Sequence, residues 1–306
     1  MTANNSKPKR VRNRVRKSFG GWAFDIFNYT FIGLFAFACL YPYWNTFAVS
    51  LSSNRAILAN EVILWPVELN LESYSMILRD QVFIRSMLNT IYMTLGGTLV
   101  NMVACILFAY PFSRPKFPGK NIFVYLLIFT MFFGGGLIPT FILMGNLGLM
   151  NSFFGLWMLN AYSIGNIIIL RTFFQRLPVE LDESAKIDGA HDMQALIKIV
   201  LPLSKAVLAT LTLFAAVGWW NNFMGPLIYI QDPDRGTLMV RLRQLLDMGT
   251  MQFQQIMDEG IVAEARLLPE QFRAAAIFVS TVPIICVYPF LQKHFAKGVL
   301  IGGIKG

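Results

Sequence analysis

Apolar runs long enough to cross a bilayer constrain this chain more than any other feature. A helix needs about 20 residues to span the hydrocarbon core. Six segments qualify: Phe24–Leu51, Ser86–Tyr110, Asn121–Gly145, Phe153–Leu170, Ala206–Ile230 and Ala274–Leu291. Of the 306 residues, 55% are hydrophobic and 14% are charged. Soluble domains carry nearer a quarter charged residues. The predicted fold class is therefore an all-α integral membrane protein. It has six transmembrane helices in a domain over 24–306, behind a basic tail over 1–23.

Charge sets the orientation. Lys7, Lys9, Arg10, Arg12, Arg14, Arg16 and Lys17 crowd the start of the chain. Such a tail can bind nucleic acid. Directly before an apolar span it instead fixes which side stays inside, so no nucleic-acid partner is expected. The span is also longer than the roughly 7–15 apolar residues of a signal peptide and has no clear cleavage site. With the N-terminus inside, inner segments hold 18 Lys and Arg and outer segments hold 8. An even number of spans then leaves both termini in the cytoplasm. The two longer outer segments are 52–85 and 231–273. In the second, Leu238, Leu242, Leu245 and Leu246 fall at helical spacing.

Several functions lose support at this point. Ser86–Tyr110, Asn121–Gly145, Ala206–Ile230 and Ala274–Leu291 contain no ionisable Asp, Glu, Lys, Arg or His. An ion-coupled carrier usually keeps such a group at membrane depth. No internal repeat of the kind that builds secondary transporters stands out. "FPGKN" over Phe117–Asn121 has a Gly-Lys pair but lacks the preceding phosphate-binding loop. Cys39, Cys105 and Cys286 lie in apolar stretches and read as buried free thiols. With His191 and His294 as the two histidines, no metal cluster is expected. The outer acids Glu61, Glu68, Asp80, Asp258 and Glu259 form no catalytic spacing, which weighs against a membrane-bound glycan enzyme. An autonomous channel or ion-coupled carrier remains the alternative to a subunit powered from outside.

One polar stretch interrupts the apolar pattern: "ELDESAKIDGAHDMQALIKIVLP", Glu180–Pro202. Pro178 suits a first helical position. Glu180, Asp182 and Glu183 sit near the positive end of the helix dipole. Gly189 fits a left-handed stop. Met193, Leu196, Ile197 and Val200 then mark an apolar face on a second helix, and Pro202 disturbs the chain before the fifth span. The expected form is helix, glycine turn, helix, on the cytoplasmic side. A hairpin resting on headgroups has the same pattern. Four acids against Lys186 make anionic lipid a poor partner and a basic protein groove a better one.

Within this stretch, Glu183, Ser184, Ala185, Asp188, Gly189, Ala190, Ile199, Leu201 and Pro202 resemble the EAA loop of permease subunits of bacterial ATP-binding-cassette importers. Ser184 stands where the family has its middle Ala, and Ala206 stands where many relatives have Pro. "WNNFMGPLIYI" (Trp220–Ile230) resembles the carbohydrate-uptake class. "FGGGLIPT" (Phe133–Thr140) and "YPFLQKHFAKGVLIGGIKG" (Tyr288–Gly306) resemble its oligosaccharide branch. The resemblance implies a multi-pass protein of the bacterial cytoplasmic (inner) membrane that is a transport subunit and not an enzyme. It implies a coupling helix in which Glu183 pairs with a basic ATPase residue, Ala185 allows close approach and Gly189 makes the turn. The implied partners are a second permease subunit, two cytoplasmic ATPase subunits, an extracytoplasmic sugar-binding protein and the lipid bilayer. This chain then binds no cofactor, and ATP and Mg belong to the ATPase.

The sugar pathway is sought among polar and aromatic groups in the spans. Thr90, Thr94, Thr98 and Asn101 share an arc of about 80° on the second span. A polar stripe in lipid must face protein or water, and helix–helix hydrogen bonding accounts for most Thr. Trp219, Trp220, Asn221 and Asn222 combine ring faces with amides, as sugars require. Asn160, Ser163 and Asn166 add polar groups on the fourth span. Gly134, Gly135 and Gly136 predict a kink or a close helix contact in the third.

Overall fold

A computed structural model describes residues 19–115, 117–247 and 270–302. The basic residues Lys7–Lys17, and Asp258 with Glu259, lie outside the described residues. Every regular element among those described is helical. α1 is Phe19–Ser50, α2 Asn54–Leu58, α3 Glu72–Arg79, α4 Gln81–Ser113, α5 Lys120–Phe132 and α6 Leu137–Asn146. α7 is Phe153–Leu159, α8 Ile164–Gln175, α9 Val179–Ile187 and α10 Asp192–Ala195. α11 is Leu201–Leu203, α12 Lys205–Trp220, α13 Met224–Tyr229, α14 covers 238–247, and α15 is Glu270–Gly302.

Three helices are long and apolar enough to cross a membrane unbroken: α1, α4 and the Glu270–Val287 part of α15. The other expected spans are not straight. α5 and α6 meet at 110°, α7 and α8 at 57°, and the Asp192–Leu203 segment meets α12 at 85°. There are six crossings only if each bent pair crosses once. The first bend falls on Gly134–Gly136, as predicted for a kink. Within the described residues no neighbour lies within 4 Å of a Cβ built at Gly134 or Gly135. Gly136 has φ +83°, ψ 167°, a conformation that only glycine adopts readily. α1 begins at Phe19, inside the segment read as a tail.

α4 is the axis of the fold. Asp80 caps it by accepting from Val82 N at 2.9 Å, and α8 and α12 pack along it. Its C-terminal half joins Met102, Cys105, Ala109, Tyr110 and Phe112 to Ile167, Leu170 and Phe174 of α8, with Leu196, Val200 and Leu211. A second cluster at its other end joins Phe83 to Ile77, Trp220, Leu238, Leu245, Phe272, Ala275 and Ala276. A third joins Met93 to Met144, Leu156, Trp219, Tyr229 and Ile230. α1 stays outside these clusters and meets α15 near its end, where Phe47 and Phe278 lie 4.8 Å apart between ring centroids.

Thr90 knits the second cluster together. Its Oγ1 donates to Ser86 O at 2.9 Å and accepts from Leu238 N at 2.8 Å, fully buried. The thiols differ from expectation: Cys105 is buried, but Cys39 and Cys286 are exposed. An apolar sequence context does not distinguish a lipid-facing residue from one inside the bundle, because both surroundings are apolar.

Candidate coupling loop and translocation pathway

The polar stretch folds as a helical hairpin with a buried root and an exposed tip. α9 ends where Asp188 N bonds Ser184 O at 3.0 Å and Ala190 N bonds Ala185 O at 2.9 Å. Gly189 sits between these closures at φ +76°. That left-handed conformation costs an ordinary L-residue roughly 1–2 kcal/mol. Nothing lies within 4 Å of a Cβ built there, so the restriction is conformational and not steric. Glu183, Ser184, Asp188 and Gly189 are exposed, Ala190 is half-buried, and Ala185 is buried. Ile187, in the same turn, is 86% exposed.

His191 caps the second helix through a reciprocal pair. Its Nδ1 accepts from Gln194 N at 3.4 Å, while its own N donates to Gln194 Oε1 at 3.3 Å. The His-x-x-Gln spacing carried this signal, since a cap followed by Gln at the third helical position is a capping box.

Beyond α10 the chain widens into a π-helical turn over Leu196–Val200, with Leu201 N reaching back to Leu196 O. Pro202 has no N–H to continue an α-helical ladder. Ser204 closes the corner, fully buried, with Oγ donating to Val200 O at 2.7 Å. The predicted apolar face is therefore only half buried. Leu196 and Val200 enter the core beside Tyr110, Phe112 and Phe174, while Met193 and Ile197 stay exposed. Counting at α-helical spacing could not anticipate the π turn. Ile199 and Leu201 are half-buried, and Pro202 is exposed. Nearby, Arg171 Nε donates to Phe112 O at 3.1 Å, and the Arg114 guanidinium lies 4.6 Å from the Tyr110 ring centroid.

The candidate pathway residues occupy different settings. Trp219 and Trp220 are about 5% and 6% exposed and enter separate core clusters. Trp219 presses on Gly97, where a Cβ would stand 2.3 Å from its Cε2. Trp157 presses in the same way on Gly96, at 2.2 Å from its Cζ2. Adjacent glycines thus seat two indoles from two helices. The Gly96-Gly97 pair was the available sequence signal, and sequence reasoning did not use it. Asn221 is exposed, and Asn222 Oδ1 accepts from Gly225 N at 3.1 Å, starting α13.

Asn101 is buried and donates to Asn160 O at 3.2 Å. Cys105 Sγ contacts Asn101 Oδ1 at 3.7 Å and Ser163 O at 3.6 Å, and Ser163 N lies 3.4 Å from that sulfur. Asn101 and Cys105 therefore satisfy the backbone where α7 breaks from α8. The Asn160 side chain is exposed, with Nδ2 donating to Leu156 O at 3.2 Å.

At the far end of α4, polar clasps hold the connections. Asn151 Oδ1 accepts from Gln231 N at 2.6 Å and Asp232 N at 3.1 Å. Asn89 Nδ2 donates to Asp234 O at 2.9 Å and Gly236 O at 3.0 Å. Arg85 pairs with Asp234, and Arg55 pairs with Glu68. The Arg55 guanidinium and the Ser53 hydroxyl hold the Glu68 carboxyl below the usual carboxylate range.

Comparison with known proteins converges on one family. A profile of the family described as binding-protein-dependent transport system inner membrane component matches residues 13–301. The polygalacturonan/rhamnogalacturonan transport system permease protein YtcP of Bacillus subtilis is 38% identical, over 92% of this chain and 98% of its own length. The same organism's protein LplC is 38% identical over 94% and 96%. A solved bacterial ABC transporter involved in the import of the acidic polysaccharide alginate has a chain that superposes with TM-score 0.83. That chain is 33% identical, over 92% of this chain and 99% of that one.

Proposed function

The chain belongs to the inner membrane component family of binding-protein-dependent transport systems, and from that premise we propose that it forms half of an oligosaccharide import pore driven by a separate ATPase. The energy enters through Glu183–Pro202. The observation that carries this reading is the division of the hairpin into an exposed acidic tip and a root buried among the ends of α4 and α8. A push on the tip is passed to the bundle through Leu196 and Val200, because a close-packed core transmits strain.

In this reading both termini are cytoplasmic, the hairpin is cytoplasmic, and each bent pair crosses once. A second permease subunit completes the pore. Two ATPase subunits carry ATP and Mg, and an extracytoplasmic binding protein delivers the sugar. Closing the ATPase dimer shifts the pore between two access states, which requires a difference in affinity for those states. Trp219, Trp220, Asn221, Asn222, Asn101 and Asn160 surround the path. The two indoles act from within the subunit as supports, and the Asn221 and Asn160 amides act from its surface.

Two relatives argue for a substrate derived from an acidic polysaccharide. YtcP is named for polygalacturonan and rhamnogalacturonan, and the solved transporter for alginate. The Salmonella typhi glycerol-3-phosphate permease UgpE is more distant, at 28% identity. The test is co-purification of this chain with its ATPase, followed by uptake of galacturonate oligomers in proteoliposomes holding the complete complex. Flux from this chain alone would overturn the reading in favour of an autonomous channel.

A further inference from the structure

Two tryptophans measure the membrane along α1. Asp25 is the only charged residue of this helix, and Trp22 and Trp44 stand 22 residues apart on it, both exposed. At 1.5 Å per residue that is about 33 Å, close to the roughly 30 Å of the hydrocarbon core. Tryptophan concentrates at the two membrane–water interfaces. The pair therefore marks both boundaries, and Trp44 stands at the one near the C-terminal end of α1.

The chain returns to that level after α1 has ended. Trp44 lies six residues before Ser50, about 9 Å short of the helix end. Its Nε1 nevertheless donates to Leu64 O at 2.6 Å. Asn45 Nδ2 donates to Ile63 O at 3.0 Å and to Val62 O at 3.4 Å. The Trp65 ring stands edge-on to Trp44, with centroids 5.8 Å apart and planes at 89°. The run 62–67 therefore lies beside α1 and not beyond it. Its base is closed by Ser53 N bonding Val67 O at 3.2 Å and Val67 N bonding Ser52 Oγ at 3.0 Å. The run reads "VILWPV", without a charge. Ile63 is 62% exposed and Trp65 70%, with Leu64 exposed between them.

We propose that the run 62–67 is an interfacial anchor, with Ile63, Leu64 and Trp65 set among the lipid headgroups and the first acyl carbons. Irregular backbone beside hydrocarbon needs its carbonyls paired, and three successive carbonyls here are paired by side chains of α1. In water, solvent would satisfy them, and the three apolar side chains would form a patch that a water-facing surface rarely carries. The position also selects lipid over a protein that docks from water. Such a protein meets the end of α1 first, whereas the run lies alongside the helix at the level of Trp44. The flanking charges stay out of the run, and Arg55 and Glu68 pair with each other at its base. The anchor supplies what α1 lacks. None of the most apolar window of that helix is buried within the subunit, so contact with lipid at Trp44 and Trp65 fixes the depth of its end.

The test uses the full-length chain in its native complex, reconstituted in proteoliposomes, with Cys39→Ser and Cys286→Ser and buried Cys105 kept. A nitroxide is attached to Ile63→Cys, and Leu64→Cys takes its place if that variant does not assemble. Glu72→Cys, at the exposed start of α3, is the water-facing control. Collision of the nitroxide with oxygen, which concentrates in lipid, is compared with collision with a water-soluble nickel chelate. Oxygen is expected to relax the label in the run several-fold more effectively than the chelate does, and the order is expected to reverse at Glu72→Cys. Equal or stronger relaxation by the chelate in the run overturns the proposal and leaves the run in water. Shielding of that label from both colliders also overturns it, and makes the occupant a protein surface.

Discussion

Two glycines show how the same residue serves different physics. Gly97 is required by space, since a methyl there would overlap the buried Trp219 ring. Overpacking a close-packed core costs roughly 1–3 kcal/mol. Gly97→Ala should therefore lower the thermal inactivation midpoint of the detergent-purified protein, while Gly134→Ala, which meets nothing within 4 Å, should not. Equal losses in both would remove the steric account. Gly189 is required by its backbone. Asn and Asp enter the left-handed region far more readily than β-branched residues. Gly189→Asn should keep ATPase association and Gly189→Val should weaken it, with normal membrane insertion of both. Gly189→Asp reports on the docking groove more than on the turn, because Asp tolerates the angle. Equal association of the Asn and Val variants with the ATPase would show that φ +76° plays no part.

At the scale of elements, the connections at the far end of α4 are sewn by side chains that sequence patterns do not expose. Asn151, at φ 54°, accepts from two successive amides across 80 residues of chain. Asn151→Gly keeps the backbone conformation but removes the oxygen that accepts both bonds. Gln231 and Asp232 should then lose amide-exchange protection, at about 0.5–1.5 kcal/mol for each bond. Unchanged exchange would mean that water replaces the side chain without cost. The segment between α1 and α3 has a pH-dependent clasp. Glu68 bonds Ser53 Oγ at 2.6 Å and pairs with Arg55. Because its folded pKa is lowered, this contribution is present above the ordinary carboxylate value of about 4 and is lost as pH falls through the folded value. Exchange protection around Ser53–Leu58 should drop only in acid, and Glu68→Gln should make it low and pH-independent. The sequence made the long elements legible because length and apolarity alone specify a spanning helix. It hid the breaks at 160–163 and 221–223, because Asn, Ala, Tyr, Ser and Phe there carry no proline or glycine cue within an apolar run. The hairpin was legible because its acids, Gly189 and Pro202 are local signals. Its π turn was not, since which side of the second helix is buried depends on α4 and α8.

For the whole molecule, the placement of α1 bears on what the subunit can do alone. None of its most apolar 18-residue window is buried within the subunit, against 39% for α4 and 33% for α15. Its last turns touch α15 through Phe47 and through Tyr43 Oη, 3.1 Å from Thr281 Oγ1. The rest presents Phe24, Phe27, Phe31, Leu34, Phe35 and Phe37 outward. The three core clusters instead lie along α4, with partners from α8, α12 and α15, and close-packed side chains fill the space between these helices. Among the described residues, buried side chains thus line the length of α4, whereas the break at 160–163 lies at the surface of the subunit. In the proposed importer the path then runs between this subunit and another, with α1 facing lipid or the partner. The chain reconstituted alone should show no oligosaccharide flux above empty liposomes, with or without ATP. Restoring its second permease, ATPase and binding protein should produce ATP-dependent uptake, and omitting the second permease should abolish it. Uptake that survives that omission would require the path to lie inside one chain, and the packing of Trp219, Trp157 and Phe174 along α4 would then have to open on its own.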